Sequence, residues 1–246
     1  YDMAFCDWSS DVCSSDLVKN FTVRAGLPDP VLERLARLYT ILSRLEGSGG
    51  PRPFSSKAVG ELLAVPGHTI RKDLSLLKTF LQAEQEADPD RAADSDQGYD
   101  AARLRSLIGR GLGLEKVRPV ALVGLGRLGS AILHKKREWT DLRYPIAAAF
   151  DASINRIELT RTEVPLFHSR EIVRVTREKG ILVGILAVPA EAAREVAERL
   201  VEGGARALVN FTPVLIAPAG KGVVVRNVSL TGELDIISGY LDREGV

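Results

Sequence analysis

Val120-Ala121-Leu122-Val123-Gly124-Leu125-Gly126-Arg127-Leu128-Gly129 decides the fold of this chain. The apolar run 120–123 predicts a buried strand. Gly124, Gly126 and Gly129 follow the G-x-G-x-x-G spacing of a dinucleotide-binding turn. In such a turn the first glycine permits the tight bend. The second lets a pyrophosphate approach the backbone, and the third lets helix and strand pack closely. A helix from Arg127 to about Trp139 would aim its N-terminal amides at the phosphates. Leu125, Arg127 and Leu128, lying between the glycines, complete the candidate phosphate-binding set.

Downstream, Ile146-Ala147-Ala148-Ala149-Phe150 is a second apolar run, and it ends in Asp151. That acid lies 22 residues after Gly129 (151 − 129), near the spacing of a ribose-binding carboxylate. A carboxylate there favours NAD over NADP, because it repels a 2′-phosphate. Alternation then continues: a helix over 169–179, a strand over 181–188, and a helix over 190–201 opened by Pro189. Strands over 205–209 and 222–226 and a terminal helix from 229 to about 243 complete the pattern. Strand and helix in turn imply a parallel sheet with helices on both faces, in the α/β class. Ligands of such sheets sit beyond the C-terminal strand ends, here Gly124, Asp151, Val188-Pro189 and Asn210-Phe211.

The segment before the glycine turn is helical. Residues 28–46 carry Leu32, Leu35, Leu38, Leu42 and Leu45 at helical spacing. Ser55 and Ser56 cap a short helix to about 64, Val65-Pro66-Gly67 forms a tight turn, and His68 or Thr69 opens a helix to about Leu81. Helix, short turn and second helix make the helix-turn-helix pattern, whose second helix enters the major groove. Between 19 and 82 ten basic residues face five acidic ones, a local excess suited to phosphate contact. The exposed opening of the second helix carries Arg71 and Lys72, followed by Asp73, which is expected to orient an Arg or Lys or to pair within the head rather than do chemistry.

Composition agrees with a folded, non-membrane protein. Hydrophobic residues make up 45% and charged ones 26% of 246 residues, with 33 basic against 32 acidic. No apolar stretch approaches a membrane span, and no signal-peptide pattern is present, so a cytoplasmic location is expected. Residues 1–18 resemble the translation of a sequencing-library adapter and are set apart from the fold, with part of the authentic N-terminus expected to be missing. Both cysteines, Cys6 and Cys13, fall there, which leaves the remainder without disulfide or cysteine-metal chemistry. The three histidines, His68, His134 and His168, are scattered, and no catalytic or metal-binding set is expected.

Together these residues resemble the Rex family of redox-sensing transcriptional repressors. The resemblance rests on Thr69-Ile70-Arg71-Lys72-Asp73-Leu74-Ser75, the glycine turn, Ala149-Phe150-Asp151 and Val164-Pro165-Leu166-Phe167-His168. It continues through 185–193, Asn210-Phe211-Thr212-Pro213-Val214 and Val225-Arg226-Asn227-Val228, spanning about 27–243. It implies an N-terminal winged helix, a Rossmann domain and a C-terminal helix swapped within a homodimer. The implied domains are 19–82 for the DNA-binding head, 83–98 for an acidic linker or wing, 99–228 for the NAD(H) domain and 229–246 for the dimerisation helix. The implied activity is repression at an inverted-repeat operator in double-stranded DNA, released by NADH, with NAD⁺ competing. Gly124, Gly126 and Gly129 would then hold pyrophosphate and Asp151 the ribose. Val188, Pro189, Ala190, Asn210 and Pro213 would line the pocket. Tyr240 would stand where the family has a terminal-helix Phe. Ser55, Ser56, Lys57, His68, Thr69, Arg71, Lys72 and Ser75 form the candidate DNA-reading set. The family's wing is short, basic and glycine-rich, ending in Gly-Tyr. Here Gly98-Tyr99 follow a longer, acidic stretch over 84–96, which repels phosphate.

Two other functions compete. An NAD-dependent oxidoreductase would need a substrate domain, for which the chain after 119 leaves no room, and a placed acid or base, which no residue supplies. A nucleotide- or CoA-binding module that has lost DNA binding would explain the acidic wing.

Overall fold

The computed structural model describes residues 27–46, 55–83, 99–134, 143–218 and 222–244. The adapter-like 1–18, the basic residues at 19, 24 and 52, the acidic stretch 84–96 and the helix expected over 135–139 lie outside the described residues. The chain forms two compact units, meeting in sequence between Leu112 and Gly113.

The first unit is helical: α1 (Asp29–Glu46), α2 (Ser56–Leu62), α3 (Gly67–Ala83) and α4 (Ala101–Gly111). Helix α1 buries Val31, Leu35, Leu38 and Leu42, spaced four, three and four apart. Leu32, expected on this stripe, is exposed instead. Three-residue steps from 32 to 35 to 38 drift off the face that Val31 keeps. Ser55 caps α2, its hydroxyl accepting the Ala58 N–H at 3.1 Å. On α3, Ile70, Leu74, Leu77 and Leu81 are buried as expected. Asp73 is also buried, and Arg34 of α1 reaches it with two hydrogen bonds, Nε to Oδ2 at 2.7 Å and Nη2 to Oδ1 at 2.8 Å. The hydrogen-bonded carboxylate raises the Arg34 guanidinium above its ordinary pKa. Helix α4 packs on α1 and α3, and a Cβ at Gly111 would strike Leu77. The expected NAD(H) domain, 99–228, would include α4. The structure places α4 in the helical unit, because Leu104, Leu107 and Ile108 are apolar residues that this unit buries.

The second unit holds one six-stranded sheet in the order β3-β2-β1-β4-β5-β6, every neighbouring pair parallel. The strands are β1 (Val120–Val123), β2 (Ile146–Asp151), β3 (Leu166–His168), β4 (Val183–Leu186), β5 (Ala207–Asn210) and β6 (Val224–Asn227). This is the doubly wound Rossmann order. Strand β1 is buried throughout, and its residues alternate between two cores. Ala121 and Val123 join one core with Phe150, Leu186, Val175 and Leu200, whereas Val120 and Leu122 join the other with Ile132, Leu133 and Ile185. The helices are α5 (Arg127–His134), α6 (Ile154–Leu159), α7 (Ile172–Glu178), α8 (Ala193–Glu202) and α9 (Leu230–Glu244).

Two expected helices open differently. Short 3-10 turns at Ser169–Glu171 and Ala190–Ala192 precede α7 and α8. The strand expected over 181–188 is confined to Val183–Leu186, so that Ala187 and Val188 leave the sheet. Helix α6 and strand β3 were not anticipated, being too short, at six and three residues, to display a period.

The Arg34–Asp73 pair generates a stability prediction. Arg34→Ala strands a buried carboxylate and should lower the stability of the helical unit by about 3 kcal/mol, read as a lower urea midpoint. Replacing both partners, Arg34→Met with Asp73→Leu, should recover most of that loss. An unchanged midpoint for Arg34→Ala would show that water satisfies Asp73 instead.

Candidate nucleotide cleft and nucleic-acid interface

In the observed strand order β1 and β4 are neighbours whose connections diverge to opposite sides, which opens a crevice at their C-terminal ends. The glycine turn stands there, and each glycine has a different reason to be one. Gly124 has φ +99°, and a Cβ on it would strike the Ala187 carbonyl oxygen arriving from β4. A Cβ at Gly129 would collide with the Gly124 carbonyl, so this position sets the close approach of α5 to the turn. Around Gly126 a Cβ would meet nothing within 4 Å. Packing does not require glycine at 126; the bare backbone faces open space, where a phosphate could approach it.

The cleft beside the turn has a volume of about 880 Å³, within the range that holds ligands of cofactor size. Of the expected residues, Gly124, Gly126, Asp151, Val188 and Pro189 line it together. Asp151 ends β2 and is 4% exposed. Its Oδ2 accepts the Leu125 N–H at 2.7 Å and its Oδ1 the Ser153 N–H at 2.7 Å, so the carboxylate ties the second strand to the glycine turn. Arg156 stands 3.5 Å from Oδ2.

Other expected residues are placed elsewhere. Leu125, Arg127, Leu128, Gly129 and Ala190 flank the cleft in sequence but do not line it. Asn210 is fully buried and its amide is consumed within the protein. Its Nδ2 donates to Val214 O (2.7 Å) and Asn227 Oδ1 (2.8 Å), and its Oδ1 accepts from the Thr212 N–H (3.0 Å) and hydroxyl (2.7 Å). With its hydrogen-bonding capacity used, Asn210 shapes the loop after β5 rather than contacting a ligand through its side chain. Pro213, within that loop, does not line the cleft either. Tyr240 lies on α9, 56% exposed, with Arg243 over its ring at 5.3 Å. Ser153, Arg156, His168, Ser169 and Arg170 line the cleft but were not anticipated. Recognising β3 would have revealed His168, Ser169 and Arg170, since His168 is the register partner of Asp151, whereas Ser153 and Arg156 belong to the cap and body of the short helix α6.

In the helical unit, His68, Arg71, Lys72 and Ser75 are exposed along α3 at spacings of three, one and three, one stripe opposite the buried leucines. Arg71 Nη1 donates to the Ser56 hydroxyl at 2.6 Å, which links the start of α3 to the start of α2. Thr69 and Ser56 are half-buried, and Ser55 and Lys57 are exposed beside them. Asp73, being buried, reads nothing. Among the described residues no group of three or more His, Cys, Asp or Glu could hold a metal ion. None of the described helices is long and apolar enough to cross a membrane.

Comparison with known proteins matches this layout. A family model described as a CoA binding domain covers residues 115–214, and one described as a putative DNA-binding protein N-terminus covers 26–75. A redox-sensing transcriptional repressor Rex from Listeria welshimeri is 30% identical over 217 residues, 88% of this chain and 94% of the relative. Its counterpart from Chloroflexus aurantiacus is 34% identical over 221 residues, 90% of this chain and 98% of the relative. This chain belongs to the Rex family of redox-sensing transcriptional repressors. Rex members are repressors rather than enzymes, which sets the oxidoreductase alternative aside. The Rex-family repressor RSP, solved with β-NADH, superposes with a TM-score of 0.72 at 25% identity, covering 89% of this chain and 96% of that one. RSP solved with β-NAD⁺ and operator DNA gives 0.70 at 25% identity, covering 89% and 94%.

The glycine geometry separates two substitutions. Gly126→Ala should leave folding intact yet weaken NADH binding at least about tenfold, the cost of a methyl where phosphate must approach. Gly129→Ala should lower the melting temperature as well, because its methyl has no room. Equal binding by Gly126→Ala and wild type, followed by NADH fluorescence, would exclude the turn as the phosphate cradle.

Proposed function

We propose that this Rex protein is a DNA-binding repressor that NADH releases from an inverted-repeat operator, with NAD⁺ competing for the same cleft. The observation that carries the reading is the pairing, in one chain, of an open glycine turn at Gly126 with an exposed stripe of His68, Arg71, Lys72 and Ser75. The Gly124–Gly129 turn, including Leu125, Arg127 and Leu128, takes the pyrophosphate. Asp151 takes the ribose, Val188 and Pro189 line the rest of the pocket, and Ala190 follows them in the turn before α8. Asn210 and Pro213 contribute through the loop they shape. Ser55, Ser56 and Lys57 meet phosphates while Thr69 and the α3 stripe enter the major groove. Acting on DNA, the protein works in the cytoplasm.

Helix α9 exposes Leu230, Leu234, Ile236, Ile237, Tyr240 and Leu241. Such a face suits burial in a homodimer with the helix exchanged between subunits, where Tyr240 reaches the other subunit's cleft. The switch is a population shift. NADH drives release only insofar as it binds the DNA-free state more tightly than the bound one.

Anisotropy of a labelled family-type inverted repeat tests this. The protein should bind the DNA, and NADH should reverse binding at a lower concentration than NAD⁺. Arg71→Ala and Lys72→Ala should each weaken DNA binding roughly tenfold while sparing NADH binding. A folded protein that binds NADH but not the DNA at low salt would overturn the reading in favour of a nucleotide-binding module whose acidic 84–96 stretch repels phosphate.

A further inference from the structure

The ribose end of the cleft carries more positive charge than a pocket for an unphosphorylated ribose requires. Asp151, the carboxylate that bars a ribose phosphate in the simplest reading of the sequence, has both oxygens engaged by the Leu125 and Ser153 amides. Asp151 lines the cleft but is only 4% exposed, and the two amides draw its charge toward the protein. Arg156 lies over its edge. Nη1 is 3.5 Å from Oδ2, and the arginine side chain is 57% exposed. That contact occupies one corner of a guanidinium with five N–H donors. An ion pair of this exposure contributes little to stability, so fold maintenance does not account for Arg156.

A second arginine comes from the neighbouring strand. His168 is the register partner of Asp151, and Arg170 follows two residues later, lining the same cleft. His168 Nδ1 accepts the Arg170 backbone N–H at 3.1 Å, which fixes the turn that carries it. Among the described residues the Arg170 side chain pairs with no carboxylate. Arg199, by contrast, is taken by Glu195 at 2.6 Å. The cleft's other acids, Glu191 and Glu195, follow β4, on the far side of β1 from β2 and β3. Charge along the cleft is therefore divided: acid beyond β4, and two arginines beyond β2 and β3.

We propose that Arg156 and Arg170 form a phosphomonoester subsite, so that the cleft accepts an adenosine nucleotide with an additional phosphate on its ribose. Guanidinium groups match phosphate geometry with paired hydrogen bonds, and a phosphomonoester carries nearly two negative charges at neutral pH. Two cations against one engaged carboxylate favour its entry. The ligand is a 2′-phosphorylated dinucleotide of the NADP type or a 3′-phosphorylated nucleotide of the CoA type. The inference rests on the nucleotide reading of the cleft.

Competition against NADH fluorescence in the full-length chain tests it. The probes are 5′-AMP, adenosine 2′,5′-bisphosphate and adenosine 3′,5′-bisphosphate, which differ only in the additional phosphate. At least one bisphosphate should displace NADH at about tenfold lower concentration than 5′-AMP. A 2′ preference marks the NADP type and a 3′ preference the CoA type. Arg156→Ala combined with Arg170→Ala should erase the advantage while leaving 5′-AMP and NADH within about threefold. Arg156→Lys alone should keep part of it, and unchanged melting temperatures would confirm that each variant folds. If 5′-AMP outcompetes both bisphosphates, or the advantage survives the double variant, the subsite is overturned while NADH binding stands. Failure of the wild-type protein to bind NADH would overturn both.

Discussion

The divergence of β1 and β4 is the constraint on which the nucleotide half of this protein depends. Adjacent parallel strands whose following helices turn to opposite faces leave a gap at their C-terminal ends that neither connection can fill. The chain meets the gap from one side with Gly124 and from the other with Ala187 and Val188. The two sides approach so closely that a single Cβ at Gly124 would collide across it. Asp151 closes the third side by accepting the Leu125 amide, so β2, the turn and the mouth of the cleft are held as one piece. The open space at Gly126 follows from that bracing. A turn fixed at Gly124, Gly129 and Leu125 can leave open space beside the Gly126 α-carbon without collapsing onto it.

The helical unit solves a different problem, namely how to present cations without destabilising a small core. Its buried charge, Asp73, is matched by Arg34 through two short hydrogen bonds, and the neighbouring Arg71 and Lys72 remain outside on α3. Helical periodicity alone explains the sorting. Residues 70, 74, 77 and 81 face inward, 73 lies at the edge where Arg34 can reach it, and 68, 71, 72 and 75 face outward. A chain with a near-neutral total, 33 basic against 32 acidic residues, thus keeps exposed cations on one face of α3.

Legibility in the sequence followed the length and strength of the local signal. The glycine turn, β2 and the α3 stripe were readable because spacing alone constrains them, and the Rossmann class followed from their order. Strand β3 and helix α6 were not, and with them went His168, Arg170, Ser153 and Arg156. Three strand residues display no alternation, and only pairing with β2 reveals them. The pocket role of Asn210 rests on the family resemblance, whereas its position at a strand end is equally met by satisfying local backbone groups. Its partners, Asn227 and the Val214 carbonyl, are 17 and four residues away, and no pattern in the chain announces that they consume its amide. Leu32 shows the same limit on a smaller scale, since an apolar residue one position off the stripe is solvent-facing.

On the proposed function, nucleotide in the cleft and DNA on α3 compete through one conformational equilibrium. Linkage makes that claim reciprocal: if NADH weakens operator binding by some factor, the operator must weaken NADH binding by the same factor. The direct measurement is calorimetric titration of NADH into the free protein and into the protein saturated with operator DNA. A weaker apparent affinity is expected on DNA, by the factor with which NADH weakens DNA binding. Identical NADH affinities with and without operator would contradict it, and would leave the cleft and the DNA-reading helix as independent sites on one chain.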